Sequence, residues 1–148
     1  MNGHNQRLYK KEKLCSLSAI GALFGPGGDA RATLCYPLRM VWRPNATRRC
    51  DAPVQFMITV PKKRLRHAVD RVLMRRRIRE AYRLGRDGVT LPQGFRADVA
   101  FVYTGQGTLP YSAVSRAMDR LLRRLARDAQ EIVPALPPTT ASADNAPA

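Results

Sequence analysis

Acidic residues are scarce in this sequence, which has 11 Asp and Glu against 26 Lys and Arg in 148 residues and a formal net charge of +15. An excess of this size predicts a polyanionic partner, with nucleic acid first and an anionic membrane surface second. Long apolar runs are also missing, because no stretch approaches the roughly 18 consecutive apolar residues that a membrane-spanning helix needs. We therefore expect a nucleic acid partner and no membrane association.

Cysteine and histidine are too few and too scattered to indicate a disulfide framework, a metal site or a catalytic centre. The cysteines, Cys15, Cys35 and Cys50, are odd in number and contain no Cys-x-x-Cys pair, so we interpret them as reduced thiols in the core. The two histidines, His4 and His67, have no cysteine or carboxylate partner at a catalytic or metal-ligand spacing. We predict no catalytic residue and no metal ligand in the protein itself.

The two ends of the chain differ in composition from its middle. Residues 1–12 are polar and basic and predict a flexible arm, whereas residues 129–148 are rich in Pro and Ala and predict a disordered tail. Residues 13–128 have the periodicity of one folded domain. The N-terminal MNGHNQRLYKKEKL lacks the apolar run of a signal peptide, so we expect a cytoplasmic protein.

Hydrophobic periodicity within the domain predicts an α+β fold with the order α-β-β-(β)-α-β-α. Apolar residues recur at helical spacing from Leu14 to Phe24. The next segment, LCYPLRMVWR, alternates as a strand whose even-numbered residues form one apolar face, and Pro37 makes it an edge strand or interrupts it. VQFMITV at 54–60 predicts a buried central strand, and ADVAFVY at 97–103 predicts another buried strand.

Two further helices complete this order. The first, AVDRVLMRRRIREAYRLG at 68–85, ends at Gly85 as a C-cap, and the second is opened by Pro110. Projection at about 100° per residue gives each helix one apolar stripe. These stripes contain Met74, Ile78, Ala81 and Tyr82 in the first helix, and Val114, Ala117, Met118, Leu121, Leu122 and Leu125 in the second.

The helix at 68–85 also has a basic stripe formed by Arg75, Arg76, Arg79 and Arg83. From Lys62 to Arg83 the chain has ten basic residues and two acids, so this segment carries +8. Salt bridges within the helix cannot neutralise such a row, and like charges at i,i+4 repel each other. Contact with phosphates and release of their counterions would account for the charge, so this stripe predicts a nucleic-acid interface.

The arginine helix resembles the signature of the bacterial ribonuclease P protein component, A-V-x-R-N-R-[IV]-K-R-x-[IL]-R-[EQ]. The matching positions are Ala68, Val69, Arg71, Arg76, Ile78, Arg79 and Glu80, and Arg75 replaces a lysine with the charge kept. The basic arm, the first helix with Leu14, Ile20, Leu23 and Phe24, PLRMVW, VQFMITVPKK and ADVAFVY are also similar to that family. The resemblance extends over roughly residues 8–127.

This resemblance implies a subunit of a ribonucleoprotein endonuclease that removes the 5′ leader from precursor tRNA. It implies two partners, the catalytic RNA and the precursor tRNA, and it places Mg²⁺ in the holoenzyme rather than on the protein alone. The implied fold is like a ribosomal small-subunit protein domain, with a left-handed strand–helix–strand crossover where general rules predict a right-handed one.

The resemblance also implies two RNA-binding surfaces. For the catalytic RNA we predict a surface formed by Lys62, Lys63, Arg64, Arg71, Arg75, Arg76 and Arg79. For the single-stranded leader we predict a groove between the first helix and the sheet, where aromatic rings stack on bases. The candidate rings are Phe24, Tyr36 and Trp42, and the alternative for each ring is a place in the core.

One part of the motif departs from the family. Val72 and Leu73 stand where the family has asparagine and arginine, so the contacts of those two positions cannot be carried over. We expect the two side chains to pack beneath the basic arm or the first helix, because apolar groups pressed on RNA would leave polar groups desolvated. The alternative is a remodelled RNA contact.

Two other functions compete with this interpretation. A ribosomal or tRNA-binding protein could use the same basic helix without any catalytic RNA. A protein-only, metal-dependent nuclease would need a cluster of acids, and the scattered acids of this sequence do not indicate one.

Overall fold

The structure, a computed structural model, describes residues 12–14, 17–25, 30–44, 54–92 and 94–132. Within these residues the chain order is α-β-β-β-α-β-α, which confirms the predicted order and the α+β class. The helices are α1 (Leu17–Phe24), α2 (Ala68–Gly85) and α3 (Tyr111–Ile132), and a short 3-10 helix (Arg86–Gly88) follows α2. The strands are β1 (Arg31–Cys35), β2 (Leu38–Pro44), β3 (Val54–Thr59) and β4 (Ala97–Tyr103).

The four strands form one sheet in the order β1-β2-β4-β3, in which only the β3–β4 pair is parallel. β4 is a buried central strand, whereas β3 is the last strand of the sheet, so the prediction of a central strand at 54–60 is wrong. Beside β3, the N–H of Leu14 donates to the carbonyl of Phe56 at 2.8 Å. Leu14 is therefore extended, and α1 begins at Leu17 rather than at Leu14.

The segment predicted as one strand around Pro37 is a hairpin. The Tyr36–Pro37 peptide bond is cis, and Cys35 pairs with Leu38 across the turn. The turn changes which residues share a face, because Leu34 now pairs with Arg39 instead of standing in line with Trp42. Leu34 and Arg39 therefore lie on one face of the sheet, and Trp42 lies on the other.

The two faces of the sheet are covered by different helices. The side chains of α2 and α3 join Leu38, Met40 and Trp42 in the larger core, and all the residues predicted for both apolar stripes are buried there. Leu23 of α1 packs with Val41 on the opposite face. Helix α2 connects the parallel strands β3 and β4, as the strand–helix–strand prediction requires. The left-handed crossover stays a prediction.

Two predictions about helix ends, the capping role of Gly85 and the end of α3, are corrected by the structure. Gly85 has φ −74°, which is right-handed, so it is not the left-handed C-cap that the sequence predicts. Glycine at this position instead allows α3 to pack closely, since a Cβ there would lie 3.2 Å from Asp119 Oδ1 and 3.2 Å from Leu122 Cδ1. Helix α3 extends to Ile132 with Ala129 buried, whereas the tail is predicted from residue 129.

The ends of the chain lie mostly outside the described residues. This applies to residues 1–11 of the predicted arm and to residues 133–148 of the predicted tail. Glu12, which we predicted to be the last residue of the arm, forms an ion pair with Arg86 after α2.

The connection between β4 and α3 is held by a tyrosine. The Tyr103 hydroxyl donates to the carbonyl of Gly107 at 2.5 Å, and burial raises the pKa of this hydroxyl. The ring lies against Gly105, where a Cβ would be 2.6 Å from the Tyr103 hydroxyl oxygen and 3.0 Å from Leu109 Cδ1. Gly107 has φ +73°, a conformation that favours glycine. The turn therefore depends on both glycines.

Gly105→Ala is expected to lower the free energy of unfolding by about 1–3 kcal/mol, the usual cost of overpacking a buried site. The cost arises because the new methyl group must displace the Tyr103 ring. Urea denaturation of the full chain measures the effect as a lower midpoint at an unchanged m-value.

Gly21→Ala is the matched control, because a Cβ at Gly21 has no neighbour within 4 Å and the residue lies inside α1. Here the same substitution should raise the free energy of unfolding by about 0.5–1 kcal/mol, since alanine is the better helix former. Equal shifts for the two variants would contradict the packing assigned to Gly105.

Candidate nucleic-acid interface

Helix α2 is buried on one side and basic on the other. Its buried residues are Met74, Ile78, Ala81 and Tyr82. Arg76 and Arg79 are exposed and Arg75 is partly exposed, as the sequence predicts for the basic stripe. Within the described part of the chain, no carboxylate forms an ion pair with any of these three arginines. We call Arg75, Arg76 and Arg79 the α2 arginine row.

Arg83, the fourth arginine of the predicted stripe, is neutralised within the helix. Its Nε lies 3.0 Å from Glu80 Oε1 and its Nη2 lies 2.5 Å from Oε2, a bidentate pair. The hydrogen bond lowers the pKa of Glu80 and raises the pKa of Arg83, so both side chains stay charged. This pair ends the unneutralised row at Arg79.

Two other arginines of α2 bind backbone carbonyls. Arg71 Nη1 donates to the carbonyls of Leu65 and Arg66 at 2.9 and 3.0 Å, which fixes the loop before the helix. Arg77 Nη1 donates to the carbonyl of Leu109 and ties α2 to the segment before α3. One nitrogen of the Arg71 guanidinium therefore holds the loop, and the role of Arg71 in RNA binding stays a prediction.

The two residues that depart from the family motif, Val72 and Leu73, are part of an exposed apolar patch. The patch is formed by Ala68, Val69, Val72 and Leu73 beside Arg76. Val69 is 76% exposed and Val72 is 44% exposed. α1 packs on the far face of the sheet, so it does not cover the patch as one alternative predicts, and residues 1–11 lie outside the described residues.

The loop before α2 and the β1–β2 turn line one groove. Lys63 and Arg64 come from the loop, Tyr36 from the turn and Arg39 from β2, and the groove has a volume of about 510 Å³. Tyr36 is 62% exposed, so its ring is available to a ligand. The third predicted loop cation, Lys62, is exposed in the same loop. The sequence prediction missed Arg39. Strand alternation was a signal for it, because a residue next to the buried Met40 points to the other face of the sheet.

The three aromatic candidates fall in different environments. Trp42 is fully buried, with its ring 5.8 Å from that of Phe95 in an edge arrangement, so its prediction as a base-stacking residue is wrong. It faces α2 and α3 because it alternates in step with Leu38 and Met40, which lie in the same core. Phe24 is 48% exposed at the last residue of α1 but does not line the groove with Tyr36. Phe24 and Tyr36 stay predictions.

The described residues contain no group of three or more His, Cys, Asp or Glu side chains that could hold a metal ion. None of the helices in the described ranges is long and apolar enough to cross a membrane. What this part of the chain offers to a ligand is a row of guanidinium groups and a cationic groove with one exposed ring. These groups suit the phosphates and bases of a nucleic acid.

Comparison with known proteins agrees with this chemistry. The family model described as Ribonuclease P matches residues 8–126. The ribonuclease P protein components of two Porphyromonas gingivalis strains are each 35% identical over 122 residues, which cover 80% of this chain and 86% of the relative. The fold is similar to that of the Staphylococcus aureus RNase P protein, with a TM-score of 0.60 at 14% identity over 77% of this chain and 94% of the other.

The family match covers most of the chain, and it includes the arginine helix, the loop before it and the β1–β2 turn. The solved structure is too distant in sequence to show more than the fold, whereas the curated relatives are close enough to show the family. The chain belongs to the ribonuclease P protein family, and is thus a tRNA-processing subunit of an endoribonuclease holoenzyme that has an RNA partner.

Proposed function

We propose that this subunit works in the cytoplasm, where it binds the catalytic RNA through α2 and holds the 5′ leader of precursor tRNA in the groove. The catalytic RNA and its Mg²⁺ ions carry out bond cleavage. The observation that carries the proposal is the α2 arginine row, which has no carboxylate partner among the described residues. The ribosomal or tRNA-binding alternative is not favoured by the family match.

The α2 arginine row suits a phosphate backbone in both charge and geometry. Guanidinium groups present planar forks of donors that fit phosphate oxygens in pairs. Arg75 and Arg79 are one turn apart on the same side of a rigid helix, so they can contact neighbouring positions of one backbone. Because Arg83 is paired with Glu80, we place the end of this contact at Arg79.

The groove suits a single strand better than a duplex. A single strand exposes its bases, and an exposed aromatic ring can stack on any of them regardless of sequence. Tyr36 offers such a ring, with Arg39, Lys63 and Arg64 around it to bind the backbone. A leader of variable sequence needs this kind of recognition, and Phe24 is a second proposed ring on the α1 side of the sheet.

The described residues do not fit a Mg²⁺ site of their own. Mg²⁺ prefers oxygen ligands at near-octahedral geometry, and no cluster of three or more potential ligands occurs in the described part of the chain. We therefore assign the holoenzyme's Mg²⁺ to RNA phosphates and derive no step through protein side chains. The protein contributes by positioning two RNA molecules, which raises the effective concentration of the reacting groups.

Cleavage of precursor tRNA at low Mg²⁺ tests the proposal in three reactions, with catalytic RNA alone, protein alone, and both together. We expect no cleavage by the protein alone and faster cleavage by the complex than by the RNA alone. Cleavage by the protein alone would instead support a protein-only nuclease. No stimulation of the RNA would support the ribosomal or tRNA-binding alternative.

Arg75→Ala combined with Arg79→Ala should weaken binding of the catalytic RNA. The slope of log K against log salt concentration should flatten by about 1.8 units, since each lost phosphate contact contributes about 0.9 on a duplex. Filter binding over a salt series measures both quantities. The control is Glu80→Ala with Arg83→Ala, which removes a neutral ion pair from the same helix and should leave the slope unchanged. Equal flattening in both variants would place the interface elsewhere.

Tyr36→Ala should weaken binding of precursor tRNA with little effect on mature tRNA, because only the precursor has a leader. The expected loss is about 1–3 kcal/mol if the ring stacks on one base. Tyr36→Phe is the matched control, since it keeps the ring and should keep the affinity. If both variants lose affinity equally, the hydroxyl rather than stacking is responsible and the proposed role of the ring is wrong.

A further inference from the structure

Helix α3 has a second row of arginines that the function proposed above does not use. On a helix with about 100° per residue, these arginines fall within an arc of roughly 100°, on the side opposite the buried residues. All of them are exposed to solvent. The α3 arginine stripe consists of Arg116, Arg120, Arg123, Arg124 and Arg127.

Most of this charge is not neutralised by the protein. Arg124 Nε lies 3.3 Å from Asp128 Oδ1, and this is the only ion pair of the stripe within the described residues. Arg120, Arg123, Arg124 and Arg127 also line one shallow pocket, so these side chains lie beside one another. Like charges at i,i+4 repel, as for Arg116 with Arg120 and Arg123 with Arg127. An anionic partner would remove this repulsion.

We infer that the α3 arginine stripe binds the phosphate backbone of a double-helical segment of the catalytic RNA. The stripe is about 17 Å long at 1.5 Å per residue, enough to contact several phosphates. The single aromatic residue of α3 is Tyr111, at its first position, so the stripe offers no ring for stacking on unpaired bases. Contacts with phosphates alone suit paired RNA, which proteins recognise mainly by shape and backbone.

The position of α3 favours the catalytic RNA over the precursor. Helices α2 and α3 pack side by side on one face of the sheet, in contact where Gly85 meets Leu122. A large RNA bound on the α2 arginine row can therefore extend over α3. The groove proposed for the leader lies on the opposite face, with Leu34, Arg39 and Val102. The inference rests on the proposed function in that it takes the catalytic RNA as partner.

The test uses the full chain with Arg120→Gln and Arg127→Gln, two exposed residues that make no ion pair with the described part of the chain. Binding is measured over a salt series with the catalytic RNA alone and with precursor tRNA alone. We expect weaker binding of the catalytic RNA, with a slope flatter by about 1.8 units for two lost contacts. Binding of precursor tRNA should not change, and nuclease protection of one paired segment of the catalytic RNA should be lost.

Lys13→Glu is the control, because it changes the net charge by the same two units at an exposed position outside α2 and α3. It should leave both the slope and the protected segment unchanged. An equal effect of Lys13→Glu would show that RNA binding responds to the net charge of the protein rather than to a contact on α3, and would overturn the inference. Thermal unfolding of both variants checks that the fold is intact, and a lowered midpoint calls for the same measurement on Arg123→Gln.

The remaining outcomes separate the inference from the proposed function. If the α3 variant binds the catalytic RNA normally while Arg75→Ala with Arg79→Ala does not, the inference is wrong and the proposed function stands. If the α3 variant alone loses affinity, the inference stands and the α2 interface is wrong. Weaker binding of precursor tRNA with unchanged binding of the catalytic RNA would assign the stripe to the precursor and overturn the inference.

Discussion

The burial of one side of α2 against the sheet is the interaction on which the arrangement of the proposed RNA-binding surface depends. The helix contains three pairs of arginines spaced at i,i+4, which are Arg71–Arg75, Arg75–Arg79 and Arg79–Arg83. Repulsion in each pair destabilises an isolated helix by about 0.2–0.5 kcal/mol. Burying an apolar side chain contributes about 1.5–3 kcal/mol, and α2 buries Met74, Ile78, Ala81 and Tyr82. Burial therefore exceeds repulsion, and the arginines stay on a stable helix.

The arginines of α2 divide into two groups once the helix is fixed. Arg71 and Arg77 donate to backbone carbonyls on either side of the helix and hold the loops next to it. Arg83 is neutralised by Glu80. The α2 arginine row has no such partner among the described residues, so part of the dense charge of the sequence serves the fold and part is left for a ligand. The same separation of a buried side from a charged side recurs in α3, whose stripe points away from the same core.

Helical periodicity made the helices predictable, because a side chain at 3.6-residue spacing needs only its own helix to define its face. The bounds of α2 and all the buried residues predicted for α2 and α3 are confirmed. Strand residues were predicted less well. Trp42 was assigned to the face of Tyr36, but the turn at Pro37 shifts the pairing so that Leu34 lies opposite Arg39. Alternation cannot show such a change of strand, since the period of two continues unbroken through the turn.

The charge, the amphipathic helices and the family signature follow from the amino-acid sequence alone, because they depend on residue type and spacing along one element. Which arginines of α2 have a partner depends partly on tertiary packing, because the carbonyls of Leu65 and Leu109 become acceptors only when helix and loops are in place. The pair of Glu80 with Arg83, in contrast, forms within the helix itself. Packing also brings Arg39 of β2 and Lys63 of the loop before α2 beside Tyr36 of the β1–β2 turn. Groups far apart in sequence meet only through the packing of the whole sheet, and no local pattern encodes that meeting.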